Sequence, residues 1–131
     1  MHQPRRYRSL FISDLHLGTK GAQAEAVLEF LREHDADTIY LVGDIIDGWR
    51  LRSSWYWPQA HNDIVQKLLR KVRKGARIVY VPGNHDEFLR EFCGLNFGGI
   101  EVHDSIVHEA ADGKRYLVIH GDAFDMVVRH A

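Results

Sequence analysis

The chain has 131 residues, 45% hydrophobic and 27% charged, which predicts one packed domain and excludes a chain disordered by composition. Its 17 basic and 18 acidic residues give a formal net charge of −1, which offers no electrostatic basis for non-specific nucleic-acid binding. A lone cysteine, Cys93, excludes an internal disulfide and, in its apolar setting, reads as a small half-buried hydrophobe.

In chain order, the basic residues near Met1 are followed by an apolar stretch that Asp14 and His16 interrupt too early for a signal peptide. No run approaches the roughly 18 apolar residues of a membrane-spanning helix, so a cytoplasmic location is expected. Tyr7 to Ile12 reads as a strand. Ala24, Val27, Leu28 and Leu31 fall at i, i+3, i+4, i+7, the stripe of a helix. Residues 38–42 form a near-continuous apolar run, the mark of a strand buried on both faces. Pro58 opens a second helix, with Val65, Leu68, Leu69 and Val72 as its inner stripe. Arg77 to Val81 is a third strand, stopped by Pro82-Gly83. This β-α-β-α-β order predicts parallel strands in right-handed crossovers with helices packed on the sheet.

Beyond it, residues 87–92 read as a short helix and 94–99 as loop. Residues 100–103, 105–109 and 115–120 read as strands, the last two joined by a turn at Asp112-Gly113. A final apolar run, Phe124 to Val128, reads as helix. The chain then stops without a Gly cap, a Pro or a polar tail, which reads as a piece of a longer protein. The basic residues Lys67, Arg70, Lys71, Arg73 and Lys74 read as a solvated helix end complementing its dipole, against a phosphate- or lipid-facing patch. His2, His34, His103, His108 and His130 show no partner pattern and are expected at the surface. His61 is expected at the surface or in the core, with substrate contact as the alternative.

Polar residues gather after strands: Ser13-Asp14-Leu15-His16-Leu17-Gly18, Gly43-Asp44-Ile45-Ile46-Asp47-Gly48, Pro82-Gly83-Asn84-His85-Asp86-Glu87, and His120-Gly121-Asp122. Ligands of open α/β sheets bind beyond the carboxyl ends of the strands. Parallel order therefore converges Asp14, His16, Asp44, Asn84 and His85 on one edge. Carboxylate, carboxamide and imidazole donors without thiolate suit Mn, Fe, Zn or Ni. Asp14 and His16 can reach one ion, Asp44 can bridge, and Asn84 with His120 can hold a second. Two such ions clamp a phosphoryl group and lower the pKa of a bound water to about 7. Taken singly, Asp14 and Asp44 also fit helix N-caps, Asn84 a turn, and His120 a core histidine. Trp49, Trp55 and Trp57 with Tyr56 read either as core or as an apolar rim for a nucleobase or acyl chain, with Arg50 and Arg52 near phosphate.

In that order the motifs Asp14-x-His16, Gly43-Asp44-x-x-Asp47, Gly83-Asn84-His85-Asp86 and His120-Gly121-Asp122 resemble the calcineurin-like metallophosphoesterases over essentially the whole chain. The resemblance implies an α/β fold: a sandwich of mixed sheets flanked by helices (αββα), incomplete at the C-terminus, with residues 1–131 as one phosphoesterase domain. It implies Asp14, His16 and Asp44 on one divalent metal and Asp44, Asn84 and His120 on the other, Mn foremost, with Fe, Zn, Ni or Mg as alternatives. It implies catalytic roles for His85, protonating the leaving oxygen or steadying the phosphoryl group, and for Asp86, orienting His85; Asp47 would support its loop. The runs at 13–18, 43–49 and 120–125 resemble more closely the UDP-2,3-diacylglucosamine hydrolases of lipid A synthesis. Those enzymes cleave a pyrophosphate to UMP and a lipid monophosphate. Asp122 then joins Trp49, Arg50 and Arg52 as substrate contacts, and peripheral membrane contact is implied.

Here His85 stands where that subgroup tends to carry Arg. The family's Gly-His-x-His block is absent, so this chain is expected to bind metal weakly and turn over little. The rival expectations are a phosphodiesterase or phosphatase for another nucleotide or a phosphoprotein, and a metal-poor scaffold.

Overall fold

A computed structural model describes residues 4–119. His120, Asp122 and the expected helix at 124–128 lie outside the described residues. A five-stranded sheet runs β1 (Arg5–Ile12), β2 (His34–Val42), β3 (Arg77–Val81), β5 (Ile100–Val102) and β4 (Asn96–Phe97) in spatial order. The first four of these are mutually parallel and β4 is antiparallel to β5. A second sheet is the antiparallel hairpin β6 (Ile106–Glu109) and β7 (Arg115–Val118).

Side-chain alternation along the strands sorts the core into two layers. Ile39, Leu41, Ile78 and Tyr80 face α1 (Ala24–Glu33) and α3 (Gln59–Arg73), joining Leu28, Leu31, Ile64 and Leu68. Tyr40, Val79 and Val81 face the other way, against Val118 and Ile106 of the hairpin. Both faces of the central strands are covered, which is why β2 and β3 read as continuous apolar runs. The expected α/β fold of packed sheets with flanking helices is thus observed, the larger sheet mixed and the smaller, among the described residues, an antiparallel hairpin.

Several local readings change. The inner stripe of α3 centres on His61, Ile64, Leu68 and Lys71 rather than on Val65. Leu69 and Val72 pack instead against the turn at Gly98-Gly99, where an added Cβ would lie 2.9 and 2.3 Å from their side chains. That segment, read as loop, forms the tight β4–β5 turn, with φ of 59° and 97° at its two glycines, the geometry a two-residue hairpin loop requires. Lys71 is buried rather than solvated. Its Nζ donates to His34 O at 2.9 Å and pairs with Asp35, while its stem lies along the core. His108, expected at the surface, is half-buried between the sheets, 2.9 Å from the Tyr40 hydroxyl. The expected helix at 87–92 is a 3-10 helix. A short helix unseen in the sequence, α2 (Gly48–Ser53), follows β2. Among the described residues no helix is long and apolar enough to cross a membrane.

Candidate metal centre

The parallel order of β1, β2 and β3 places their carboxyl ends side by side, and the chain continues to pair beyond them. Asp14 N donates to Gly43 O, His16 N to Asp44 O, Leu17 N to Ile45 O and Asp47 N to Leu17 O, at 2.8–3.2 Å. Leu17 and Ile46 form a further parallel bridge. The loops after β1 and β2 are thus zipped together, so residues thirty apart in sequence share one rigid ledge.

On that ledge Asp14, His16 and Asp44 have φ of 55°, 48° and 53°, the only left-handed non-glycine residues among those described. Each costs roughly 1–2 kcal/mol against ordinary backbone, and such strain persists only where surrounding bonds over-determine it. The consequence is that ligating atoms of all three lie within 4.8 Å of one another. Neither aspartate is a helix N-cap; α1 starts after Gln23 and α2 after Asp47.

Asp47 was expected only to support its loop, and it does more. Its Oδ1 accepts from Arg50 N at 3.0 Å, capping α2, and its Oδ2 lies 3.1 Å from His16 Nδ1. A carboxylate on one imidazole nitrogen fixes the ring and leaves the other nitrogen to a metal. His16, Asp47 and His85 form a second group with ligating atoms within 4.8 Å.

The third loop brings His85 onto the same ledge. Its backbone N donates to Asp44 Oδ1 at 2.9 Å, and its carbonyl accepts from Gly48 N at 2.8 Å. Its ring stands edge-on to His16 at a 4.8 Å centroid distance and against Trp49 at 4.1 Å. His85 Nδ1 is buried, 3.3 Å from Asp44 Oδ1, and makes no hydrogen bond. Gly48 permits this approach, since a Cβ there would fall 2.6 Å from the Phe88 ring and 3.0 Å from His85 O. Asn84 sits exposed at the head of this loop.

Asp86 corrects an expectation. It is fully buried, and its carboxylate accepts from Asp44 N (3.1 Å), Ile45 N (2.9 Å), Gly83 N (2.5 Å) and the Tyr80 hydroxyl (2.5 Å). Its hydrogen bonds run to three peptide N–H groups and the Tyr80 hydroxyl, not to the His85 ring; it ties the second loop to the third and holds the peptide that carries Asp44. Tyr80 also accepts from Ile46 N at 3.2 Å. Its burial first, and then the Asp86 charge, hold its hydroxyl well above the usual tyrosine range. His61 lies in the core: it is buried and accepts from Gly18 N at 3.0 Å through Nδ1, and burial lowers its pKa. Burial pushes the Cys93 thiol up, consistent with an inert cysteine.

Two clefts flank His85. One, of about 690 Å³, is lined by His16, Thr19, Lys20, Asp47, Arg50, Tyr56 and neighbours. The other, of about 310 Å³, is lined by Trp49, Arg52, Glu87, Phe88 and Arg90 among others. Trp55 is 75% exposed, which rules out the core role weighed for it, while Trp57 packs on the core.

Two carboxylates and an imidazole converging on a ledge held by these backbone bonds fit a hard or borderline divalent cation.

A family model described as calcineurin-like phosphoesterase matches residues 7–130. A UDP-2,3-diacylglucosamine hydrolase of Photorhabdus laumondii is 34% identical over 117 residues, 87% of this chain and 48% of that protein. A DNA polymerase II small subunit of Methanothermobacter thermautotrophicus is 28% identical, covering 88% of this chain and 30% of that one. A crystal structure of the Pseudomonas putida nuclease MPE aligns with 26% identity and a TM-score of 0.44, over 72% of this chain and 46% of that one. The chain spans about half the length of the curated UDP-2,3-diacylglucosamine hydrolases it matches.

Proposed function

The chain belongs to the calcineurin-like phosphoesterase family, and from that premise we propose that residues 1–131 form a phosphoesterase domain hydrolysing a pyrophosphate or phosphodiester bond. The observation that carries this reading is the convergence of Asp14, His16 and Asp44 on left-handed backbone. Asp14, His16 and Asp44 would hold one divalent cation, with Asp44, Asn84 and His120 holding a second. When bound, such a pair, Mn foremost, supplies Lewis-acid polarisation of the phosphoryl oxygens and acidifies a water.

The chain's own residues do the rest. Asp47, accepting from His16 Nδ1, would hold the tautomer that leaves Nε2 as the ligating nitrogen. A water gives up one proton to solvent and adds its oxygen to phosphorus, the phosphorus–oxygen bond to the leaving group breaks, and the departing oxygen takes a proton. His85, steadied by Asp44 and Trp49 on the shared wall of both clefts, delivers it. Asp86 acts through the loop that carries Asp44. Trp49, Arg50 and Arg52 line the clefts on either side of His85 and would contact the substrate groups flanking the scissile bond, with Asp122 a further contact.

For the finer substrate, a relative's name points to UDP-2,3-diacylglucosamine, with release of UMP and a lipid monophosphate. The exposed Trp49 and Trp55 suit an acyl chain, and with such a substrate the protein would touch the cytoplasmic face of the membrane peripherally. Hydrolysis of bis(p-nitrophenyl) phosphate with Mn tests the reaction class, and mass spectrometry of products from UDP-2,3-diacylglucosamine tests the substrate. Mn-dependent turnover abolished by Asp44→Asn is expected. Absence of turnover by the full gene product on any diester or pyrophosphate would overturn the reading.

A further inference from the structure

The larger of the two clefts beside His85 has walls of different construction. One is α2 with the segment after it, through Arg50, Ser53, Ser54 and Tyr56; the other is the loop from Gly18 to Gly21. The ledge is zipped to the loop after β2 only as far as Leu17, which donates to Ile45 O and accepts from Asp47 N. Gly18 then turns the chain away, with φ of 98°. Thr19 N and Thr19 Oγ1 both donate back to His16 O, and Ala22 N donates to Thr19 O. Those bonds close the loop on itself and tie it to nothing else. Among the described residues, one hydrogen bond carries 18–22 to a separate element: Gly18 N donates to His61 Nδ1 of α3 at 3.0 Å.

The acceptor is itself held still. His61 is 3% exposed, on the inner face of α3 with Ile64 and Leu68. Tyr56 and Trp57 stand edge-on to its ring, at centroid distances of 5.9 and 5.6 Å, which fixes the direction of the Nδ1 lone pair. Tyr56 belongs to the opposite wall of the cleft, so a single side chain touches both walls from beneath while lining neither. We infer that His61 is a positioning residue: through Gly18 N–H it holds the 18–21 wall at its distance from Tyr56, and so governs substrate binding without touching substrate or metal. The kinetic consequence rests on the phosphoesterase reading. Asp14 and His16 lie on the zipped side of Gly18, and Asp47 holds the His16 ring. Losing His61 therefore loosens the wall and leaves the metal ligands in place, which raises KM and spares kcat.

The test uses the Mn-loaded full gene product as wild type, as His61→Leu and as His61→Asn, whose amide oxygen can stand where Nδ1 stands. Hydrogen exchange reads the wall directly: the Gly18 amide is expected to be protected in wild type, and the leucine variant should speed exchange across 17–22 by about tenfold while 40–48 keep their protection. With bis(p-nitrophenyl) phosphate, the leucine variant should raise KM about fivefold to tenfold, the equivalent of one buried hydrogen bond, with kcat and Mn affinity within about twofold. The asparagine variant should recover most of both effects. A wild-type Gly18 amide that exchanges freely, an unchanged KM in the leucine variant, a loss of Mn affinity that matches the rise in KM, or an asparagine variant no better than leucine overturns the inference. Should the leucine variant fail to fold, protection of Gly18 in wild type and the kinetics of the asparagine variant decide. Absence of Mn-dependent turnover in wild type would sink the phosphoesterase reading alone, since exchange still reports on His61.

Discussion

Replacing Asp86 by Asn removes a charge and one acceptor while changing shape very little. In the native protein the two carboxylate oxygens serve four donors, three of them peptide N–H groups of the loops that build the ledge. A carboxamide keeps one acceptor oxygen. Its best placement sets the oxygen toward Asp44 N and Gly83 N and turns the NH2 toward Ile45 N and the Tyr80 hydroxyl. Tyr80 can then accept, but Ile45 N–H is left buried against another donor. A hydrogen bond to a charged group contributes about 1.5–3 kcal/mol, and a stranded buried donor costs about 1–3 kcal/mol. The expected loss is about 2–5 kcal/mol, a large part of the roughly 5–15 kcal/mol that stabilises a typical domain. Urea unfolding at pH 7 reads this as a midpoint lowered by about 1–3 M with an unchanged slope. Because the same bonds hold Asp44 in its strained conformation, Mn affinity should fall at least tenfold under conditions where the variant is folded. A loss below 1 kcal/mol with unaltered Mn affinity would refute the reasoning that Asp86 holds the ledge.

Gly48→Ala should cost about 1–3 kcal/mol through overpacking against Phe88 and the His85 carbonyl, read by thermal melting; no change would mean that the second and third loops are not closely packed. Trp55→Ala, at a position 75% exposed, should leave stability within about 0.5 kcal/mol yet weaken binding of an acylated substrate; unfolding instead would restore a core role. Glu101 is held down to about 2 by the Arg77 guanidinium, against burial and with help from His103. Its folded pKa lies below its unfolded one, so the ion pair's contribution is present above about pH 4.5 and disappears as pH falls toward 2. Because the pair is partly exposed, Glu101→Gln should cost about 0.5–1 kcal/mol at pH 7 and nothing near pH 2; a cost independent of pH, measured by urea unfolding, would contradict the assignment.

The sheet was legible because its strands are buried on both faces, and such strands leave continuous apolar runs. Asp14, His16 and Asp44 were legible because parallel order fixes which strand ends are neighbours. Harder to read were features carried by hydrogen bonds between segments. Nothing in the periodicity of α3 marks His61 as the acceptor for Gly18 N, or Lys71 as the buried partner of His34 and Asp35. The helical stripe was displaced because Leu69 and Val72 are apolar for another reason: they cover the Gly98-Gly99 turn. Asp86 was read through its neighbour in sequence, His85, whereas a buried carboxylate beside a strand end seeks the nearest unpaired peptide donors. The Gly-Gly pair after Asn96-Phe97 is the sequence signal for β4, since it supplies the two positive-φ positions of the turn. The short α2 carried its own signal in Asp47, an N-cap residue one position before Gly48.

The claim on which the rest depends is that three loops from one sheet edge together hold divalent metal through Asp44. Equilibrium dialysis against Mn, with metal content measured for the wild-type protein and for Asp44→Asn at matched thermal stability, tests it most directly. Saturable Mn binding that weakens at least tenfold in the variant is expected; equal Mn content in the two proteins, or none in either, would contradict a metal held through Asp44.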